Sequence, residues 1–233
     1  MQATRDLLIK FKLFQGLSYE DLEYLCAGSF VKRHARRSVI LSAGINQNQI
    51  CVVFEGRLQG VDFTIDGKEV GLYFVEPGDY CGEMCVFDDG PLTEHVIAIK
   101  PAVVVLFSAE TMRNIAEKNP KIMLALGNKL ASRIRQMSKQ RALLSLPNIL
   151  QRVSTQLWLL IPEPENKTKK SIEISNLPTH MEIAIMLNLS RETITRVFQQ
   201  LQKRRIVSRS GQNRLTIENF AALKSIVDGA EDF

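Results

Sequence analysis

Arg191, Glu192, Thr195 and Arg196 fall in one short stretch, LSRETITRV at residues 189–197. An arginine donates two hydrogen bonds to guanine O6 and N7, and a glutamate accepts one from cytosine N4. A well-made bidentate contact of this kind discriminates between bases by about 1–3 kcal/mol. The plainer alternative is a wet helix face with a Glu192–Arg196 ion pair, worth about 0.3–0.5 kcal/mol. At 3.6 residues per turn, Glu192, Thr195, Arg196 and Gln199 are neighbours, with Arg191 at the N-terminal tip. Ile194, Val197, Phe198 and Leu201 form the opposite, apolar face.

The residues before this helix decide which face points outward. In HMEIAIMLNLSRETITRVFQ, residues 180–199, Ile183, Leu187, Leu189, Ile194 and Val197 form an apolar lattice. Ala184 stands where two helices would approach closely. Asn188 stands at the turn, where a left-handed residue is needed and asparagine is the next choice after glycine. Ser190 is placed to cap the second helix. These offsets are those of a helix-turn-helix, whose second helix enters the major groove by its N-terminal part. Beyond it, KRRIVSRSGQNRLTI predicts two β arms around a Gly211-Gln212-Asn213 turn, a wing. Residues 191–214 hold seven Lys and Arg against one Glu. Lys203, Arg204, Arg205, Arg209 and Arg214, with Ser190 at the cap, are the candidate phosphate contacts, which set affinity rather than sequence preference.

Charge is divided along the 233 residues. Residues 1–118 carry 12 Lys and Arg against 16 Asp and Glu, a net of −4; residues 119–233 carry 18 against 9, a net of +9. The basic half is suited to a polyanion. The front half opens with short helices and turns β-rich from residue 30 to 107. The runs SVILSAG, QICVVFEG, RLQGVDFTIDG, KEVGLYFVEPGDY and VIAIKPAVVVLFS are separated by turn signals at Asp66-Gly67, Pro77-Gly78-Asp79 and Asp89-Gly90-Pro91. Many short strands predict a small antiparallel barrel or roll. Asn119 as cap and Pro120 as first residue predict a long helix to about Leu146, before Pro147. Its stripe of Met123, Leu126, Leu130, Ile134 and Met137 is suited to pairing with a second copy. The expected organisation is α+β: a sensor roll at 1–118, a dimerisation helix at 119–146 and a winged helix-turn-helix at 147–233. PEPENKTKKS, residues 162–171, reads as a polar loop.

No run of residues is apolar enough to span a membrane, and the N-terminal MQATRDLLIK lacks a signal-peptide pattern. Cys26, Cys51, Cys81 and Cys85 lack the spacing of a disulfide framework. A cytoplasmic protein is expected. No Ser/His/Asp set, phosphate-binding glycine loop, dinucleotide fingerprint or H-E-x-x-H motif is present, and the three histidines are scattered, so no catalytic residues are assigned.

Taken together, VVFEGRL (residues 52–58), GDYCGEMCVFDDG (78–90), the long helix and LSRETITRVFQQLQKRRIV resemble the CRP/FNR family of bacterial transcription regulators over nearly the whole chain. The resemblance implies a homodimer on near-palindromic double-stranded DNA, with RNA polymerase as a further partner. It implies base contacts by Arg191, Glu192 and Arg196 and half-sites resembling TGTGA. Thr195 lies where FNR-like members often carry Ser, which leaves a TTGAT-like half-site open.

The departure is in the effector pocket. The family pattern resembles Gly-Glu-Leu followed by Arg-Ser/Thr-Ala, with Glu on the ribose and Arg on the cyclic phosphate. Gly82-Glu83-Met84 is kept here, but Thr93-Glu94 replaces the Arg-Ser pair and His95 follows. Threonine has no guanidinium fork, and Glu94 puts a negative charge where an anion would sit. No neighbouring arginine in the sequence substitutes for it; Lys100 lies six residues on. Cyclic AMP is therefore disfavoured, and the cofactor is left unknown or none. A cyclic dinucleotide, haem or a redox signal stays open, as does a constitutive regulator with a vestigial roll. An iron–sulfur cluster would need more N-terminal cysteines than Cys26. Cys81, Cys85 and His95 are a weak candidate metal set, and Cys81 with Cys85 a candidate redox pair.

Overall fold

The computed structural model describes every residue except 46, 47, 66, 68, 162–170, 210, 212 and 231–233. The polar loop at 162–171, Asp66 of the first turn and Gln212 of the wing turn thus lie outside the described residues, the loop except for its last residue. The chain divides into two compact units, Met1–Gln136 and Met137–Phe233.

In the first unit, α1 (Arg5–Leu8), a 3-10 turn (Lys12–Phe14) and α2 (Tyr19–Ala27) precede an antiparallel sheet. Its strands are β1 (Ser29–His34), β2 (Val39–Leu41), β3 (Gln49–Phe63), β4 (Glu69–Val75), β5 (Tyr80–Cys81) and β6 (His95–Ser108). They run in the order β1-β6-β3-β4, with β2 added to β6 and β5 to β3. A short helix, α3 (Met84–Phe87), lies between β5 and β6, and α4 (Ala109–Lys118) and α5 (Pro120–Leu144) follow.

QICVVFEG and RLQGVDF, read in the sequence as separate runs, are one bent strand, β3. Gly56 is not a turn but a bend within it. Its φ is +89°, and a Cβ there would stand 2.3 Å from the carbonyl oxygen of Pro101. The β3–β6 register shifts on both sides of it, which accommodates Pro101 inside β6. β1 escaped the pattern because Lys32 and Arg33 interrupt its alternation.

Two apolar clusters fill this unit. One joins the N-terminal helices to the sheet and α4, with Phe14 stacked edge-on to Phe107 at 5.4 Å. The other lies within the sheet, around Leu41, Val53, Leu58, Val96 and Val104. The α5 stripe is divided. Leu126 is buried and Met123 packs beside it, whereas Ile134 and Met137 are 65% and 66% exposed. Asn119 offers its carbonyl to the first α5 N–H groups, while its side-chain nitrogen turns back to Asp21 and to the Ile115 carbonyl.

The second unit contains the end of α5, then α6 (Ile149–Leu159), β7 (Ile172–Ser175), α7 (His180–Leu187), α8 (Arg191–Lys203), β8 (Val207–Arg209), β9 (Arg214–Ile217) and α9 (Phe220–Val227). The small antiparallel sheet runs β7-β9-β8. Leu143, Leu157, Ile183, Leu187, Ile194, Phe198, Leu201 and Leu215 share one core. Trp158 stacks on Phe220 at 4.5 Å.

Candidate nucleic-acid interface and sensor pocket

Asn188 ends α7 in the left-handed conformation, φ 53° and ψ 46°. The next N–H, of Leu189, donates back to the Ala184 carbonyl at 2.9 Å. Ser190 then caps α8, its hydroxyl accepting from Thr193 N at 3.1 Å. A capping box that the sequence reading missed starts α7: Thr179 accepts from Glu182 N, and the Glu182 carboxylate accepts from Thr179 N at 2.7 Å. Thr179 followed three residues later by Glu182 is its sequence signal. Both helices are thus set by local rules, and α8 buries Ile194, Val197, Phe198 and Leu201.

Arg191, Glu192, Arg196 and Gln199 are left exposed on the other face, with Thr195 half-buried among them. The Glu192 carboxyl is held below the usual carboxylate range by its own backbone N–H and by Ser190, ahead of the nearby arginine charges. It is an acceptor at neutral pH. Lys203 and Arg204 are exposed at the far end of α8, roughly 18 Å of helix from Arg191. Arg209 is exposed at the end of β8 and shares a recess with His180, Thr195, Phe198, Gln199 and Gln202. Arg205 is exposed and takes a left-handed turn after α8. Arg214 is exposed at the start of β9 but stands 3.6 Å from Glu173, so part of its charge is already met.

His180 was not among the site residues read from the sequence. Its ring packs on Phe198 at 4.6 Å and its Nδ1 meets Thr195 Oγ1 at 3.0 Å. No short-range pattern marks a contact across fifteen residues. Burial, then the charges of Arg209 and Arg191, lower its pKa. The unfolded chain therefore takes up this proton before the native chain does, and stability is lost as pH falls below about 6.5. Wild type is expected to lose denaturation midpoint between pH 7.5 and 5.5 more steeply than His180→Phe. Equal slopes would disprove this.

In the candidate effector pocket, Gly82 has φ +82° and a Cβ there would meet the Gln49 carbonyl at 2.4 Å. Glu83 is 1% exposed. An arginine from a helix distant in sequence faces it: Arg133 of α5 brings Nε to 2.6 Å from Glu83 Oε1, an ion pair not aligned as a hydrogen bond. Arg133 also lies 3.6 Å from Glu94 and 3.7 Å above the Tyr73 ring centre. The Tyr73 hydroxyl donates to Glu94 at 2.6 Å, and Thr93 donates to the other Glu94 oxygen. Gly60 makes room for Tyr73, since a Cβ there would stand 2.5 Å from the ring. Burial raises the Glu83 pKa, and Arg133 only partly opposes it.

The weak metal set does not assemble. Cys81 lies opposite Cys51 across β5 and β3, Cys85 donates to the Gly82 carbonyl, and His95 accepts from Ala43 N. Among the described residues no three metal-ligating side chains converge. Cys81 is therefore placed with Cys51 rather than Cys85. The Cys51 contact and burial push the Cys81 thiol well up, and burial pushes Cys85 up to about 11, so little thiolate forms. Among the described residues no helix is long and apolar enough to cross a membrane.

Comparisons with known proteins agree with this architecture. Residues 31–119 match the family model of the cyclic nucleotide-binding domain, and residues 151–226 that of the Crp-like helix-turn-helix domain. The cAMP-activated global transcriptional regulator CRP of Pasteurella multocida is 27% identical over 195 residues, 82% of this chain and 91% of that one. A CooA variant from Carboxydothermus hydrogenoformans has a similar fold, with TM-score 0.77 and 17% identity over 97% of this chain and 98% of that one. The c-di-GMP responsive global regulator CLP of Xanthomonas campestris gives 0.66 and 20%, over 86% and 99%. With both halves matched in order, the chain belongs to the CRP/FNR family of DNA-binding transcription regulators.

Proposed function

We propose that the chain acts as a homodimer on a near-palindromic duplex, reading each half-site with Arg191, Glu192, Thr195 and Arg196 of α8. The observation that carries this is the exposed polar face of α8, held outward by the left-handed Asn188 and the Ser190 cap. Ser190, Lys203, Arg204, Arg209 and Arg214 hold the phosphates. Ile134 and Met137, exposed on α5, meet their copies in the partner. The half-site is TGTGA-like, or TTGAT-like through Thr195. RNA polymerase is the partner for transcription control, the setting is the cytoplasm, and the chain performs no catalysis.

The effector is not cyclic AMP. The Glu94 carboxylate, held by Tyr73 and Thr93, occupies the place that the family resemblance gives to the phosphate-binding pair. A second reading, a regulator that needs no effector, is favoured by Arg133 already being met by Glu83 and Glu94.

Selection of bound duplexes from random DNA tests both readings, run alone and with cyclic AMP, cyclic di-GMP, haem and oxidant. A palindromic logo is expected, unchanged by cyclic AMP. Arg196→Ala is expected to flatten one base pair per half-site. An unchanged logo in that variant rejects the base assignment, and a logo that requires cyclic AMP rejects the pocket reading.

A further inference from the structure

Thr195 is on the base-reading face, yet its hydroxyl is already engaged inside the protein. Thr195 Oγ1 donates to the Arg191 carbonyl at 2.9 Å. A hydroxyl has one proton, so the 3.0 Å contact with His180 must run the other way, with Nδ1–H donating to Oγ1. This fixes the tautomer. His180 Nε2 carries the lone pair, buried and without a hydrogen-bond partner among the described residues. The ring is held in place by its packing on Phe198.

Two hydrogen bonds thus draw the Thr195 hydroxyl back toward its own helix and toward α7. Threonine in a helix divides between two rotamers, one of which bonds the carbonyl four residues back. His180 adds a second bond to that same rotamer. The hydroxyl has no proton left for an acceptor on DNA, and the methyl is the part of the side chain that neither bond engages. In the major groove, thymine offers an acceptor, O4, and a methyl group. Only the second suits Thr195 so held.

We propose that His180 and Thr195 form a specificity-determining pair in which His180 is a positioning residue and Thr195 reads one thymine per half-site through its methyl group. This rests on the reading of α8 as the base-reading helix. It assigns to Thr195 an apolar contact, where a serine at the same position could offer only its hydroxyl.

The test uses the full-length protein and the duplex it selects from random DNA. Each thymine of the half-site is replaced in turn by uracil, which lacks only the methyl. One position per half-site is expected to lose affinity, by about fourfold, the value of one buried methyl. Thr195→Ser is expected to abolish that loss and Thr195→Val to keep it. His180→Phe, which keeps a ring against Phe198 but removes the donor, is expected to weaken the loss without changing the salt dependence of binding. Adding Thr195→Val to His180→Phe is expected to restore it, because valine holds one rotamer in a helix unaided. A clear half-site with no uracil-sensitive position overturns the methyl assignment, as does a loss that persists in Thr195→Ser. Undiminished sensitivity in His180→Phe overturns the role of His180. If no duplex sequence is selected at all, it is the reading of α8 that fails.

Discussion

Affinity for the selected duplex is expected to fall by about four orders of magnitude between about 50 and 200 mM salt. Lys203, Arg204, Arg209 and Arg214 are all exposed, and the proposed homodimer presents each of them twice. About eight neutralised phosphates at about 0.9 released counterions each give a slope of log affinity on log salt near −7. A fourfold rise in salt then costs about 10⁴ in affinity. Single substitutions separate the contributions. Lys203→Ala is expected to reduce the slope by about two units per dimer while leaving the logo intact. Arg214→Ala is expected to reduce it less, because Glu173 already stands 3.6 Å from that guanidinium. Arg196→Ala is expected to flatten one position of the logo. A slope shallower than about −2, read by titration at several salt concentrations, would sink the proposed phosphate set.

The helix-turn-helix was legible in the sequence because its determinants are local. Asn188 at φ 53° and Ser190 on Thr193 N are consequences of a residue type and a spacing of a few positions. The antiparallel sheet was legible as a class, but its connectivity was not. A glycine that starts a turn and a glycine that bends a strand look alike until the partner strand is known, and Gly56 faces Pro101 and Ala102. The stripe on α5 was visible, but its division was not, since only the packing of Leu126 on the roll decides where the free part begins. Within the candidate effector pocket, Glu83, Thr93 and Glu94 could be found from motif offsets. Arg133 could not. It reaches Glu83 from a helix fifty residues away, and Tyr73 joins from a different strand. Sequence separation also hid His180, whose contact with Thr195 spans two helices and fifteen residues.

Arg133→Met is expected to destabilise the Met1–Gln136 unit by about 3–5 kcal/mol, the cost of leaving a buried charge unpaired. Glu83 and Glu94 both lie against this guanidinium, and Glu83 is 1% exposed. Burial already raises the Glu83 pKa with Arg133 present. Without it, the native state must hold a desolvated carboxylate or bind a proton that the unfolded chain releases. Stability of the variant should therefore fall as pH rises through the raised Glu83 value and recover toward acid, read as a denaturation midpoint. Loss of packing is the competing cause, since Arg133 also covers the Tyr73 ring. The two separate in a further variant. Adding Glu83→Gln and Glu94→Gln to Arg133→Met removes the unpaired charge while keeping the shapes close. It should regain most of the loss, as buried ion pairs contribute little once all their charges are replaced together. If the triple variant stays as unstable as the single one, and with the same pH slope, Arg133 serves the roll through its contacts. If stability returns and the slope vanishes, Arg133 is there as the countercharge that lets two carboxylates share the site the family resemblance gives to a nucleotide.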